Sequence, residues 1–138
     1  ALVKMGKSVA VSYASGSCQS GMQKRVGLAR AIAGDPKILL LDEPTAGLDP
    51  ILSNGISELI SNITEQLNTT VISITNDIDS ARIISNKAAM LKNGKISWQG
   101  PTKLIEKSDN PHVQQYIKSW VAERSLRKKT KNKLQGSD

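Results

Sequence analysis

The chain has 138 residues, a net charge of +7, 38% hydrophobic residues and 3% aromatics, with no Phe. That length allows one domain with a sizeable core. A single Cys and a single His exclude a disulfide framework, a cysteine zinc cluster and a multi-histidine metal site, and no apolar run is long enough to span a membrane. With no signal-peptide pattern, a reduced, cytosolic compartment is expected. More than half of the excess charge lies in residues 121–138, so the nearly balanced body makes no case for a specific nucleic-acid partner.

The first few residues read as the end of an element, and residues 13–20 as a Ser/Gly-rich loop. Residues 21–33, GMQKRVGLARAIA, turn helical, with Val26, Ala29, Ile32 and Ala33 on one face and Lys24, Arg25 and Arg30 left to water. Gly34 and Pro36 stop that helix. Ile38-Leu39-Leu40-Leu41 is apolar on both faces and predicts a central parallel strand buried on both sides, ending in Asp42-Glu43-Pro44. A helix follows over about 50–67, with Pro50 in its first turn and Ile51, Ile56, Ile60, Ile63 and Leu67 as its apolar face. Residues 70–74 are a β-branched strand and residues 78–84 a short helix. Residues 88–91 and 95–98 flank Lys92-Asn93-Gly94 as a hairpin. Two amphipathic helices close the body near 102–106 and 111–120, and residues 121–138 form a basic tail expected to be disordered. Strands alternating with helices predict an α/β fold with a mostly parallel sheet.

The chemistry concentrates where the apolar strand runs into Asp42-Glu43. A buried parallel strand delivers both carboxylates to the carboxyl end of the sheet, where α/β proteins place ligands. The first can hold Mg²⁺ and the second can polarise an attacking water. Four aliphatics and Asp-Glu alone equally describe a strand followed by a polar turn.

The surroundings separate these readings. Ser20-Gly21-Met22-Gln23-Lys24-Arg25-Val26 leads a helix, and the strand runs on into Asp42-Glu43-Pro44-Thr45-Ala46-Gly47-Leu48-Asp49-Pro50. In order and spacing this resembles the nucleotide-binding domains of ABC transporters: the tail of the signature motif, the Walker B strand and the D-loop. The resemblance runs to about residue 120 and covers the carboxy-terminal half of such a domain. It implies a P-loop NTPase-like α/β sheet, incomplete here, with a carboxy-terminal hairpin and helices. It also implies ATP and Mg²⁺ as ligands, Asp42 at the magnesium, Glu43 as general base and Asp49 at a dimer interface. Gln19, Ser20, Gly21 and Met22 would face the γ-phosphate held by the opposite subunit, as backbone N–H groups at a helix start suit an anion. The implied partners are a transmembrane permease subunit, a second nucleotide-binding subunit and an amino-terminal half carrying the phosphate loop, at the inner face of the cytoplasmic membrane. There the basic tail could add weak, salt-sensitive affinity for anionic lipid. The GMQKRV stretch and the segment from Gly100-Pro101-Thr102 to Tyr116 further resemble ATPases of bacterial phospholipid and solvent-resistance importers that work with substrate-binding proteins of the mammalian-cell-entry type.

Three departures from the family pattern bear on activity. The phosphate loop G-x-x-x-x-G-K-[ST] is not present as a whole; Met5-Gly6-Lys7-Ser8 supplies only its end. The signature L-S-G-G stands as Cys18-Gln19-Ser20-Gly21, with Gln19 in place of the phosphate-facing Ser and Ser20 in place of a Gly. Asn76 stands where the family carries its switch His, and an amide holds no proton or charge. Cys18 reads as a small packing residue and His112 as a surface residue. The expected function is therefore an ATP-binding subunit fragment of an ABC transporter, silent by itself. The competing readings are a catalytically inactive module docking on a transporter partner or complementary half, or a binder of nucleic acid or membrane through residues 124–133.

Overall fold

A computed structural model describes residues 2–5, 8–11 and 20–135, with side chains described from 21 to 125. The expected loop at 13–20, Cys18 and Gln19 included, lies outside the described residues apart from Ser20. Two compact units divide after Ser85.

The first unit holds a four-stranded sheet in the order β1 (Leu2–Met5), β2 (Ser8–Val11), β3 (Ile38–Asp42), β4 (Thr70–Ile74). β1 and β2 pair antiparallel; β2–β3 and β3–β4 pair parallel. Helix α1 (Ser20–Ile32) connects β2 to β3, and α2 (Pro50–Gln66) connects β3 to β4. A further helix, α3 (Ile78–Ile84), follows β4. The apolar run 38–41 is thus an interior parallel strand, as its composition predicts. The initial residues, read from sequence as the end of an element, form the β1–β2 pair. Met5 ends β1 and Ser8 begins β2, so the partial phosphate-loop match runs into a strand and not into the helix that such a loop requires.

Leu39 and Leu41 point to one face of β3 and pack with Leu28 and Ala31 of α1 and Ile56 and Ile60 of α2, all of them nearly inaccessible. This corrects two expectations. The buried face of α1 is Lys24, Leu28 and Ala31, at i, i+4 and i+7, while Val26 is 53% exposed. Within this unit, α1 and α2 pack on one face of the strand. Register puts Ile38, Leu40, Ile72 and Ile74 on the opposite face, where Ile72 is 56% and Ile74 62% exposed. The helix stop also differs in detail: Asp35, not Gly34, takes the left-handed conformation (φ 47°).

The second unit is a hairpin of β5 (Lys87–Lys92) and β6 (Lys95–Pro101), a 3₁₀ turn at Thr102–Lys107, and a long helix α4 (Pro111–Gln135). Asn93 and Gly94 both have positive φ, which a two-residue turn matching the strands' twist requires. Ile105 and Val113 are its buried apolar residues. The tail expected to be disordered is instead helical through Gln135. Between Pro111 and Gly136 the sequence holds no Gly or Pro and is rich in Lys, Gln and Arg, which favour helix, and the Arg124 guanidinium stacks over the Trp120 ring one turn earlier, 5.2 Å from its centroid.

The uncovered sheet face generates a test. The full chain is expected to bind an apolar-surface dye and to associate at rising concentration. Replacing Ile72 and Ile74 together by Thr is expected to suppress both, while shifting unfolding free energy by less than about 1 kcal/mol, because neither side chain is in the core.

Candidate functional site

Parallel pairing sets Asp42, the last residue of β3, against Ile74, the last of β4. The turns that follow both strands therefore leave the same end of the sheet side by side. Asp42 is exposed there. Glu43 is partly buried and adopts the left-handed conformation (φ 44°), which is uncommon for a residue with a Cβ. Its N–H donates to the Ile74 carbonyl at 2.9 Å. Its carboxylate accepts from the Asn76 backbone N–H at 3.0 Å on one oxygen and faces the Thr75 hydroxyl at 3.4 Å on the other. Asp42, Glu43 and Asn76, picked from sequence, are thus brought together. Asn76 meets Glu43 through its backbone.

A chain of hydrogen bonds fixes this end of the sheet. The Asp77 N–H donates to the Thr75 hydroxyl at 3.1 Å. The Asp77 carboxylate caps α3, accepting from the Asp79 N–H, and accepts the Ser80 hydroxyl at 2.6 Å. Ser80 in turn lies 3.1 Å from the Thr45 hydroxyl in the interior. The two turns are thereby tied together through buried, partnered polar groups.

Asp49 caps α2: one carboxylate oxygen accepts from the Ile51 N–H at 2.9 Å and the Leu52 N–H at 3.1 Å. Its residue type is explained by that cap alone, whatever else it touches. Ser20 is the first residue of α1 and its side chain is outside the described part; Gly21 follows, against Leu52 of α2, and Met22 is 65% exposed. Gln19 lies outside the described residues. His112 is exposed in the second unit, its ring beside the Lys92 ammonium. A concave surface lined by Gly34, Asp35, Pro36, Lys37, Leu67 and Asn68 sits at the start of β3 and β4, away from these groups.

Sequence reasoning missed Lys24. Expected in water, it is buried on α1, and its ammonium donates to the Glu43 carbonyl at 3.2 Å. Burial lowers its pKa from the ordinary 10.5, against the opposing pull of Glu43 and then Asp42. The available signal was its i, i+4, i+7 spacing with Leu28 and Ala31.

Among the described residues, no cluster of three or more His, Cys, Asp or Glu side chains could enclose a metal, and no helix is long and apolar enough to cross a membrane. Asp42 alone, exposed at the strand end, fits a Mg²⁺ that keeps its waters and is held mainly by a nucleotide's phosphates.

Residues 3–46 match the ABC transporter family. A probable ribonucleotide transport ATP-binding protein of Mycobacterium tuberculosis is 39% identical over 102 residues, 74% of this chain and 28% of that protein. The methionine import ATP-binding protein of Bacillus subtilis is 38% identical over 124 residues, 90% of this chain and 35% of the other. The similarity is to ABC transporter ATP-binding proteins. The nitrate transport protein NasD of Klebsiella oxytoca is 40% identical over 98 residues, covering 71% of this chain and 37% of that one. The chain spans 28% to 37% of the length of these curated relatives. Among solved structures, the ATP-binding cassette MJ0796, a dimer bound to ADP and Pi, superimposes with a TM-score of 0.55 at 34% identity, covering 62% of this chain and 36% of that one. The cbiO1 component of a Clostridium perfringens ABC transporter gives a TM-score of 0.59 at 36% identity, covering 65% and 36%. The α/β fold is that of the ABC ATPases, as the sequence implies.

Two measurements check this geometry. Because Lys24 binds its proton less tightly folded than unfolded, stability is expected to rise as pH climbs from the lowered folded pKa through the unfolded value of 10.5. Lys24→Met is expected to remove that alkaline gain in paired denaturant titrations. Asp49→Ala is expected to cost about 1 kcal/mol by loss of the α2 cap, read by chemical denaturation.

Proposed function

We propose that this chain supplies the carboxy-terminal half of an ABC nucleotide-binding domain, the ATP-binding subunit of a transporter, and that it does not hydrolyse ATP alone. The observation that carries this reading is the meeting of Asp42, Glu43 and the 75–76 turn at the carboxyl ends of two adjacent parallel strands. In it Asp42 holds the Mg²⁺ that accompanies the nucleotide. The ion would neutralise charge developing on the phosphates. Glu43 orients a water and takes its proton. Asp49 and the segment from Gln19 through Ser20 and Gly21 to Met22 lie toward a second nucleotide-binding subunit, and a transmembrane permease subunit holds the pair at the inner face of the cytoplasmic membrane. The assembled domain is residues 1–120, with residues 121–138 as an appended basic segment.

Silence in isolation follows from three features. No complete phosphate loop occurs in the 138 residues. Asn76 offers an amide where a His would carry a proton, and the signature is altered, with Gln19 in place of a Ser and Ser20 in place of a Gly. The cargo we propose is a lipid, of the phospholipid class, on the resemblance of the 21–26 and 100–116 segments. The relatives' names print ribonucleotide, methionine and nitrate for those proteins.

The test is complementation. The chain alone is expected to show no ATP turnover above background; turnover abolished by Glu43→Gln would overturn its silence. Mixed with an amino-terminal half that carries a phosphate loop, it is expected to bind MgATP, and Asn76→His is then expected to raise turnover by about 100-fold, the lower range for a positioned proton-carrying group. No MgATP binding by the mixture would sink the assignment.

A further inference from the structure

The geometry points to Lys24 as a positioning residue: from α1 it holds the carbonyl of Glu43 and so fixes the left-handed turn that aims the Glu43 carboxylate. The inference rests on Glu43 being the proton-accepting group proposed above, and it adds a residue outside the Asp-Glu strand end.

Lys24 is 8% exposed and occupies the core face of α1 with Leu28 and Ala31. An ammonium there loses water, and an apolar side chain of similar length would pack without that loss. Lys24 is therefore a poor choice for stability alone. The ammonium makes a charge-assisted hydrogen bond to the Glu43 carbonyl, 19 positions away in the chain. That carbonyl belongs to a residue with φ 44°, a rotation that carries it off the β3 ladder. It also accepts the Ala46 N–H at 3.1 Å.

Glu43 is consequently held from three directions. Its N–H is tied to β4, its carboxylate to the 75–76 turn, and its carbonyl to α1 and its own turn. The first two contacts come from one strand and its following turn. Lys24 supplies the hold from α1, the helix whose first turn carries Gly21 and Met22. Without it, the carbonyl loses its hold from α1, and residue 43 is free to relax toward extended backbone and swing the carboxylate away.

Hydrogen exchange read by mass spectrometry on the full chain at low micromolar concentration tests this, using the peptide that spans residues 42–49. Lys24→Met is expected to speed its exchange about tenfold, the scale of a lost hydrogen bond to a charged group, with peptides from the middle of α2 unchanged. Lys24→Arg keeps a charged donor and is expected to restore protection. Should Lys24→Met fail to fold, the contrast of Lys24→Arg with Lys24→Gln, whose amide is too short to reach, gives the same reading. Unstructured exchange rates for residues 42–49 in the unsubstituted chain would overturn the proposal. So would no change in Lys24→Met, or a uniform rise through α2 and β4 that Arg does not rescue. None of these readouts involves nucleotide. A protected turn in a chain whose complemented form binds no MgATP sinks the functional reading and leaves the Lys24 link standing.

Discussion

Everything at the chemical end of the first unit depends on β3 being held as an interior parallel strand. Leu39 and Leu41, at 0% and 2% exposure, anchor it on α1 and α2. Pairing to β2 and β4 on both edges leaves it no freedom to slip in register. A one-residue slip would turn Leu39 and Leu41 out of the core and bring Leu40 in. Because the register is fixed, Asp42 falls opposite Ile74, and the residues after each strand become neighbours. A pair of carboxylates on a flexible loop would have no defined relation to Thr75 or Asn76.

Glu43 shows how this scaffold reaches a side chain. Its left-handed backbone turns the carboxylate toward the 75–76 turn, and the conformation is held from β4, from α1 and within the turn itself. The Thr75–Asp77–Ser80–Thr45 chain of hydrogen bonds makes the second turn rigid in its own right. Placing Asn rather than His at position 76 leaves this backbone arrangement intact, since the contact to Glu43 is made by the main-chain N–H. What changes is the chemistry available beyond it. An imidazole can exchange a proton near neutrality and an amide cannot.

The sheet is unequal on its two faces. One side is packed by α1 and α2; the other presents Ile38, Leu40, Ile72 and Ile74, two of them more than half exposed. β-branched residues are suited to a pleated surface packed against a neighbour, which is why the 70–74 run reads as a strand whichever face is covered. The solved relatives superimpose over 62% to 65% of this chain, and that is 36% of theirs.

Local chemistry made much of this fold legible from sequence. Asp49-Pro50 starts α2, Asn93-Gly94 turns the hairpin, the 70–74 run is a strand, and α3 begins after Asp77, each by propensity, capping or turn geometry within a few residues. The family itself was legible because the residues from Ser20 to Pro50 keep their order and spacing. Other features were decided by tertiary structure. Periodicity allowed several faces of α1 to be the buried one, and apolarity favoured Val26, but packing against β3 and α2 selected Lys24, Leu28 and Ala31. The double-sided burial read into residues 38–41 required layers on both faces, and composition cannot count layers. The disorder read into residues 121–138 weighed charge against core formation and overlooked that a long helix needs only suitable propensity and a start. The left-handed Glu43 and its Lys24 contact left no local signature, because each is stabilised by partners 19 to 33 positions away. Sequence singled out Asp42, Glu43 and Asn76; only the packed sheet and helices decided how the Glu43 carboxylate is held.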